Sequence, residues 1–532
     1  MTQTTLIRDA RVIDGTGAPW FRADALLAGG RIAAVGPGLR SDAAEVVEGR
    51  GRFLAPGFID AHCHDDLITL RDPARPEKSL QGVTTVVVGN CSFSLYPATV
   101  GSRDSLRRHF SSLLGETDPQ EIFADLAAYR ERLHAQGAAV NVVSLVGHAA
   151  IRLAVIGFEM RSATADERGR MQNLLAAQLD QGAVGLSLGL VYPPSSYADE
   201  AELIALAEIV AERGKLLAAH VRSYEAGLFA AIDEFIAILR VAGCAGLLSH
   251  LQSAGRPNWS AVPHALERLE RTRAEGVDVS VDMYPYSAGS STILQLLPPD
   301  AQAGGYDALL ARLDDPIGGA ALRRWVEDGG DDSHTQSKVS LIGWSNVRLC
   351  AIGSPALKRF EGRSMTDAAR TLGVAPFDLL VRLVREDGGR TGIILFQLDE
   401  ADVRCACAHR LHIFGSDGLP RANAKPHPRA FGAFPRAVGP LVRAGWFPLE
   451  DAVRRMTSAA AARFGLADRG LIRPDMAADL VLFDADVADR ATFDEPTLTA
   501  SGIAYVWVAG EAVVRDGAPT GRLPGRVIPA AA

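Results

Sequence analysis

Cysteine is scarce in this sequence, and long apolar runs are missing. Six cysteines in 532 residues do not make a disulfide framework, so each is expected to be a buried thiol or a metal ligand. No run reaches the roughly eighteen uncharged apolar residues of a spanning helix. The N-terminus, MTQTTLIRDARVIDG, has no basic segment followed by an apolar one. We therefore predict a cytoplasmic protein that does not bind membranes.

A strong excess of one charge is also missing. The formal net charge is -8, with 22% charged and 48% hydrophobic residues, values typical of a soluble globular protein with a large core. This balance gives no reason to expect nucleic acid as a partner, so a small-molecule substrate is predicted. The length favours a large domain with a smaller one, and the sequence leaves the oligomeric state open.

Short apolar, β-branched runs alternate with helical stretches along the chain, which predicts a parallel sheet. Amphipathic segments such as 199–212 and 230–242 are the predicted crossover helices. Eight strands are the number that a closed (β/α)8 barrel requires, so the predicted fold class is α/β with a TIM barrel. The eight runs span residues 53–62, 84–89, 139–148, 183–190, 216–222, 246–252, 277–286 and 411–418.

The chain outside these runs predicts two further units. The gap between the seventh and eighth runs far exceeds one crossover helix, so residues 295–403 are predicted to be an inserted subdomain or lid. Residues 1–55 and 470–532 carry Gly-rich β patterns with too few strands to stand alone. We predict that these ends pair into one small β-sandwich beside a barrel domain of residues 56–469.

His62 and His64 form an H-x-H pair at the end of the first predicted strand. Side chains two apart on a strand point the same way, so both imidazoles can converge on one ion at the C-terminal rim of a barrel. The alternative for such a pair is two surface histidines on a loop. The pair alone does not decide between the two interpretations.

Four other candidates fall at the same rim. Cys91 follows the second strand, His220 ends the fifth, His250 ends the sixth and Asp417 ends the eighth. Taken singly, each is explained as a buried thiol, a core histidine or a turn residue. Because all of them lie at one end of different barrel strands, together with the H-x-H pair they predict a metal centre.

Zinc suits these ligands best, because a thiolate and imidazoles are a borderline-soft set, whereas Mg²⁺ and Ca²⁺ prefer oxygen. Cys91, His220 and His250 give three protein ligands and leave a fourth position for water, as in catalytic zinc sites. His62 and His64, sharing Cys91, would hold a second ion. The sequence leaves the occupancy of that second site open.

Longer strings of residues resemble the N-acyl-D-amino-acid deacylase (D-aminoacylase) branch of the amidohydrolase superfamily, almost from end to end. They are PGFIDAHCHDD, GNCSFSLYP, HVRSYEAG, LLSHLQSAG, DMYPYSAGSS, and GSDGLP followed by PHPRAFGAFPR. H-x-H alone marks the superfamily, whereas Cys91 in GNC and the block around Asp417 are specific to this branch. Many relatives have a bridging carboxylated lysine on strand four, but AVGLSLGL contains none, and this branch uses a cysteine instead.

The resemblance implies zinc-dependent hydrolysis of the amide bond of N-acyl-D-amino acids. It assigns a tight zinc to Cys91, His220 and His250, and a weaker site to His62 and His64. The acid/base group is then the carboxylate at the end of strand eight: Asp417 would take a proton from a zinc-activated water and return it to the departing amine.

The substrate's own carboxylate needs donors, and an arginine fork binds carboxylates bidentately. By the resemblance, Arg429, Tyr284 and Ser290 bind this carboxylate, and Tyr192 is a further active-site residue. Gln252 stands where the best-known members carry a lysine, which removes one charge from the predicted carboxylate site. The class of substrate is therefore less firmly indicated than the chemistry.

Two alternatives share parts of this pattern. A cyclic-amide hydrolase of the hydantoinase or dihydropyrimidinase type has the barrel, the H-x-H pair and the sandwich, but also the bridging lysine that this sequence lacks. A catalytically inactive barrel scaffold would be expected to lose ligands, whereas all six rim residues are present here. Both alternatives are separated from the deacylase by a zinc assay and a substrate panel.

Overall fold

The computed structural model describes residues 4–41, 44–329 and 336–530 of the chain. Its first segment is a run of strands, and β2 alternates buried and more exposed residues as a half-buried strand does. β1 pairs antiparallel with β2 and parallel with β4 and β5. These strands are β1 (Thr4–Val12), β2 (Phe21–Ala28), β3 (Arg31–Gly36), β4 (Ala44–Glu48) and β5 (Phe53–Pro56).

A barrel of parallel strands follows, and the predicted TIM barrel is confirmed. Pairing runs in parallel from β6 to β8 and from β9 to β17, and the Ala61 N–H closes the ring on Phe414 O at 3.1 Å. β8 and β9 together form the third barrel strand. The strands are β6 (Phe58–Asp60), β7 (Val83–Val88), β8 (Asn141–Ser144), β9 (Val146–Gly147), β10 (Gly185–Gly189), β11 (Leu216–His220), β12 (Ala245–Leu248), β13 (Val279–Met283) and β17 (His412–Phe414).

The first predicted strand, 53–62, is in fact two strands separated by Gly57. β5 belongs to the sheet of the chain ends, whereas β6 belongs to the barrel. A Cβ on Gly57 would lie 2.2 Å from the Thr84 side chain, so the chain passes β7 at a distance that only glycine allows. Thr84 is remote in sequence, and the apolar run therefore gave no sign of the break.

Helices cover the outside of the barrel between its strands, and both predicted crossover helices are confirmed. The Asp199 side chain caps α7 by accepting the Glu202 N–H at 2.9 Å, and α8 ends at Gly243, which has φ 71°. The helices up to the insertion are α1 (Ile68–Arg71), α2 (Pro76–Ser79), α3 (Arg103–Leu114), α4 (Leu126–Gln136), α5 (His148–Val155), α6 (Ala165–Asp180), α7 (Glu200–Glu212), α8 (Leu228–Ala242) and α9 (Val262–Ala274).

Between β13 and β17 the chain forms a small sheet with its own helices and a hydrophobic core of its own. Its three antiparallel strands, in the order β14-β16-β15, are β14 (Gly289–Thr292), β15 (Val347–Ala351) and β16 (Gly392–Leu395). The sheet thus begins at Gly289, before the predicted start of the insertion. The helices are α10 (Tyr306–Asp314), α11 (Pro316–Asp328), α12 (Lys338–Ile342), α13 (Met365–Leu372) and α14 (Pro376–Glu386).

The end of the chain returns to the sheet of the N-terminal segment. Before it lie α15 (Glu400–Ala408), α16 (Arg429–Arg436), α17 (Leu449–Met456) and α18 (Ser458–Arg463). The last strands are β18 (Leu480–Ala488), β19 (Ser501–Val508), β20 (Glu511–Arg515) and β21 (Ala518–Pro519). β5 pairs antiparallel with β18, so the two ends of the chain share one nine-stranded sheet.

The parallel direction of the barrel strands decides where a site can form. All carboxyl ends open on one rim, which the insertion approaches through β14. Among the helices of the described segments, none combines the length and the apolar character needed to cross a bilayer.

Candidate metal and substrate site

The barrel brings all six predicted rim residues together, and every one of them is buried. Each follows or ends a different barrel strand, except that the H-x-H pair shares one, so parallel topology alone places them at one rim. They are His62 and His64 after β6, Cys91 after β7, His220 at the end of β11, His250 after β12 and Asp417 after β17.

Two sets of possible ligand atoms lie within this ring. Cys91 Sγ is 3.3 Å from His62 Nε2 and 3.6 Å from His250 Nε2. On the other side, Asp417 Oδ1 is 3.3 Å from His64 Nε2 and 3.6 Å from His62 Nε2. Within each set the ligand atoms all lie within 4.8 Å of one another, so each set is compact enough to hold one ion, and His62 is common to both.

His220 lies beside the first of these sets. The sequence grouped it with Cys91 and His250 and let His62 share Cys91, and in the structure the ligand atoms of His62, Cys91 and His250 are the ones that lie within 4.8 Å of one another. The His220 ring lies with its centroid 4.5 Å from that of His250, and neither ring nitrogen has a hydrogen-bond partner among the described residues. Burial, with a contribution from His250, lowers the pKa of His220 to about 4, which leaves a neutral imidazole with a free lone pair.

The donor set fits a zinc ion. Burial alone would raise the pKa of the Cys91 thiol, but the charge of His62 and the nearby imidazoles of His220 and His250 hold it well below its usual range. Cys91 therefore favours the thiolate form that binds metals. A thiolate beside imidazoles is a set that zinc prefers over the oxygen-seeking cations.

The backbone at three of these residues is in the left-handed region. Cys91 has φ 52°, His250 has φ 35° and Asp417 has φ 47°, values that cost energy for residues other than glycine. Close packing holds the Cys91 loop, since a Cβ on Gly189 would lie 2.1 Å from Cys91 O. The next residue, Ser92, accepts the Ala149 N–H at 2.6 Å. Three of the six rim residues therefore hold backbone conformations that the surrounding structure has to stabilise.

Asp417 is held by partners on both of its oxygens. Oδ1 faces the two histidines, and Oδ2 lies 2.8 Å from Arg429 Nη2. Burial would raise the pKa of Asp417, but the charge of Arg429 and the hydrogen bond with His64 hold it well below its usual range. The carboxyl group is therefore ionised and able to accept a proton.

Asp282 is a site residue that sequence reasoning missed. It lies near the end of β13, and its Oδ2 is 3.1 Å from His62 Nδ1. Its Oδ1 accepts a hydrogen bond from the backbone N–H of His250 at 2.8 Å. A carboxylate behind an imidazole fixes the orientation of the ring and the nitrogen that faces a metal. Asp282 is the first residue of the DMYPY string, but it lies in the middle of the predicted strand 277–286, so nothing in the sequence indicated that it is near the rim.

Four of the five predicted substrate residues line the pocket above the ring: Tyr192, Gln252, Tyr284 and Ser290. The Tyr284 hydroxyl donates to Gln252 Oε1 at 3.3 Å, and the hydroxyls of Tyr192 and Ser291 are 3.1 Å apart. Ser290 lies on β14, so the insertion supplies part of the wall.

Arg429 is the exception, because its side chain is fully buried and does not line the pocket. Its guanidinium carbon lies 4.2 Å from the centroid of the Tyr284 ring, and Nη2 donates to Ser290 O at 3.4 Å. Its Nε and Nη1 have no hydrogen-bond partner among the described residues, so Arg429 pairs with Asp417 and keeps donors for a carboxylate.

Comparison with known proteins agrees with this site. The model of the Amidohydrolase family matches residues 45–316 and 361–514. The chain belongs to the amidohydrolase family. Among curated members, it is 39% identical to the N-acyl-D-glutamate deacylase of Alcaligenes xylosoxydans xylosoxydans over 98% of this chain and 96% of that one. It is 35% identical to the D-aminoacylase of the same organism, over 98% and 97%.

Solved structures of the family give the same result. The N-acyl-D-glutamate deacylase from Bordetella bronchiseptica, complexed with zinc and a phosphonate inhibitor, superposes with a TM-score of 0.83 at 37% identity, covering 100% of both chains. The dihydropyrimidinase from Brevibacillus agri has a TM-score of 0.57 at 16% identity, covering 99% of this chain and 98% of that one, which shows the fold alone. The predicted membership of the N-acyl-D-amino-acid deacylase branch is confirmed.

Proposed function

We propose that this amidohydrolase cleaves the amide bond of N-acyl-D-amino acids, releasing a carboxylic acid and a free D-amino acid. Its branch consists of metal-dependent enzymes that act on linear amides. The observation that carries the proposal is Cys91, whose sulfur lies between His62 and His250 in a barrel whose fourth strand, β10, has no lysine.

Zinc is the proposed cofactor. We assign the tight site to Cys91, His220 and His250, with His62 and His64 facing a second, weaker site. The proximity of His62 to Cys91 supports a site in which the thiolate is shared between both positions. When bound, zinc supplies a Lewis acid that polarises the scissile carbonyl and lowers the pKa of water towards neutrality.

Asp417 is the proposed general base and acid. The carboxylate is ionised, so Oδ1, which lies 3.3 Å from His64 Nε2 at the rim, is free to take a proton from the attacking water. After the carbonyl has been attacked, the same oxygen returns the proton to the departing amine nitrogen. Arg429 fixes the other oxygen, so the carboxylate keeps one orientation through both steps.

The neutral wall residues are proposed to position the substrate. Tyr284, Ser290, Gln252 and Tyr192 offer hydroxyl and amide groups to the pocket. Arg429 is proposed to bind the substrate's carboxylate and also to hold Asp417. Its Nε and Nη1 have no hydrogen-bond partner among the described residues, which supports the first part, and its contact with Asp417 supports the second.

The domain organisation follows the site. We propose a barrel domain of residues 56–469 that carries the metal ligands, a small β-sandwich domain formed by 1–55 and 470–532, and an inserted subdomain at about 295–403. Gln295 and Lys338 of the insertion line the pocket beside the barrel residues. The insertion is therefore proposed to shape substrate specificity.

A comparison of linear and cyclic amides tests the proposed function. Zinc-loaded protein would be given N-acetyl-D-amino acids and, in parallel, hydantoins and dihydropyrimidines, with release of free amino acid and ring opening measured. We expect hydrolysis of the linear substrates and little ring opening. Preference for the cyclic ureides would replace the deacylase by a hydantoinase-like activity, and inactivity towards both with zinc bound would indicate a scaffold.

A further inference from the structure

Among the described residues that line the pocket, Lys338 is the one lysine, and no arginine is among them. Arg429 is paired with Asp417 at 2.8 Å, and Gln252 stands where relatives carry a lysine, so Lys338 is the lysine that the pocket offers. A substrate carboxylate that leaves water needs charge-assisted hydrogen bonds to replace its hydration. Hydroxyl and amide groups alone supply weaker ones.

We propose that Lys338 is a specificity-determining residue that binds the carboxylate of the substrate. The proposal rests on the proposed function, because it presumes an N-acyl amino acid in the pocket. It gives the inserted segment a defined part in recognition, since Lys338 is the first residue of α12.

The position of the ammonium group is fixed from the barrel side. Lys338 Nζ lies 2.5 Å from Glu225 Oε1, and both side chains are nearly buried, at 12% and 5% exposure. Glu225 is itself held, because its Oε2 accepts the Ser223 hydroxyl at 3.1 Å and the Tyr224 N–H at 3.2 Å. An ammonium has three N–H donors, and Glu225 uses one of them, which leaves donors for a substrate.

Lys338 also lies where the pocket meets a second, adjoining cavity. Together with Tyr192 and Gln295 it lines both the pocket above the metal ligands and an adjoining cavity of about 470 Å³. Phe158 and Trp325 are among the apolar residues of that cavity. A substrate that reaches from the metal ligands into this cavity passes Lys338, so its charged group meets the ammonium while apolar parts lie beyond.

The test uses variants that remove the charge without leaving Glu225 unpaired. K338M alone would leave the buried Glu225 carboxylate without its cationic partner. The double variant K338M/E225Q therefore removes both charges together. The zinc-loaded variants would be assayed with an N-acyl-D-amino acid and with its primary amide. We expect KM for the acid to rise at least 30-fold in the double variant, with kcat and zinc content nearly unchanged, and little change for the amide.

Two controls separate charge from structure. K338R keeps a cation at this position and should recover much of the affinity for the acid. K425M makes the same substitution as K338M at an exposed lysine outside the pocket and should behave as wild type. Thermal unfolding of each variant checks that the fold is retained.

The outcomes distinguish this proposal from the proposed function. If the wild-type protein does not hydrolyse N-acyl-D-amino acids, the proposed function itself is refuted. If wild type is active, and the double variant loses activity towards the acid and the amide equally or towards neither, only the assignment of Lys338 is refuted. Selective loss for the acid with rescue by K338R supports the assignment.

Discussion

Replacing Arg429 by methionine tests how the catalytic carboxylate is held. The guanidinium is fully buried and lies 2.8 Å from Asp417 Oδ2. Methionine keeps an extended side chain that can pack against Tyr284 but removes the charge, so Asp417 loses its cationic partner. Removing one partner of a buried ion pair costs about 3–5 kcal/mol.

That cost falls on the free energy of unfolding, whereas the loss of rate is bounded by what a general base contributes, about 10²–10⁴-fold. Because Asp417 stays in place but loses the partner that orients it, we expect kcat to fall by about 10²-fold, near the lower end of this range. The assay measures kcat and KM of zinc-loaded protein for an N-acyl-D-amino acid and for its primary amide. We expect kcat to fall for both substrates, because Asp417 loses its partner, and KM to rise for the acid alone, because its carboxylate loses the guanidinium. Arg429→Lys, which keeps the charge, should lose less, and an unchanged kcat for the amide would refute the part assigned to Arg429 in holding Asp417.

Three other substitutions test the metal, the base and the barrel. Cys91→Ala should lose bound metal and activity together, because it removes the thiolate of the ligand set; metal analysis beside the assay checks this, and full activity without metal would contradict it. Asp417→Asn should keep fold and zinc but lower turnover by about 10²–10⁴-fold, and turnover within a few-fold of wild type would exclude Asp417 as the base. Gly57→Ala should lower the free energy of unfolding by about 1–3 kcal/mol, because its Cβ would lie 2.2 Å from Thr84. Gly36→Ala, with no atom within 4 Å, is the control for denaturant unfolding, and equal stability of the two variants would contradict the packing argument.

The barrel and the ring of rim residues were predictable because both follow from local patterns. Apolar runs define strands, and parallel strands send their carboxyl ends to one rim, so residues such as Cys91 and His250 could be placed together without a structure. The family resemblance added their chemical roles. Neither source of information gives distances within the ring.

The contacts inside the ring depend on how the barrel closes. The sequence let His62 share Cys91 but could not name Asp282, which lies on a strand remote in sequence and holds His62 Nδ1 at 3.1 Å. The pairing of Arg429 with Asp417 depends on how the chain folds back after β17. Hydrophobic periodicity does not specify how distant segments pack against each other. The sequence could therefore identify these residues but not their contact partners.

The insertion shows the same limit. Its existence followed from the length of chain between two strands, but its contribution of Lys338 to the pocket depends on a contact with Glu225, more than one hundred positions away. A lone lysine in a polar stretch has no pattern that separates a pocket residue from a surface one. The length of the insertion could be predicted from the sequence, but the way it packs against the barrel could not.

The central claim is that this amidohydrolase is a deacylase of N-acyl-D-amino acids, and enantiomer pairs test it most directly. Initial rates of zinc-loaded protein would be measured on N-acetyl-D- and N-acetyl-L-amino acids with acidic and apolar side chains, by the release of free amino acid. The account predicts hydrolysis of at least one D-isomer at a rate far above that of its L-counterpart. Equal rates for both enantiomers, or a preference for the L-isomer across the panel, would contradict it.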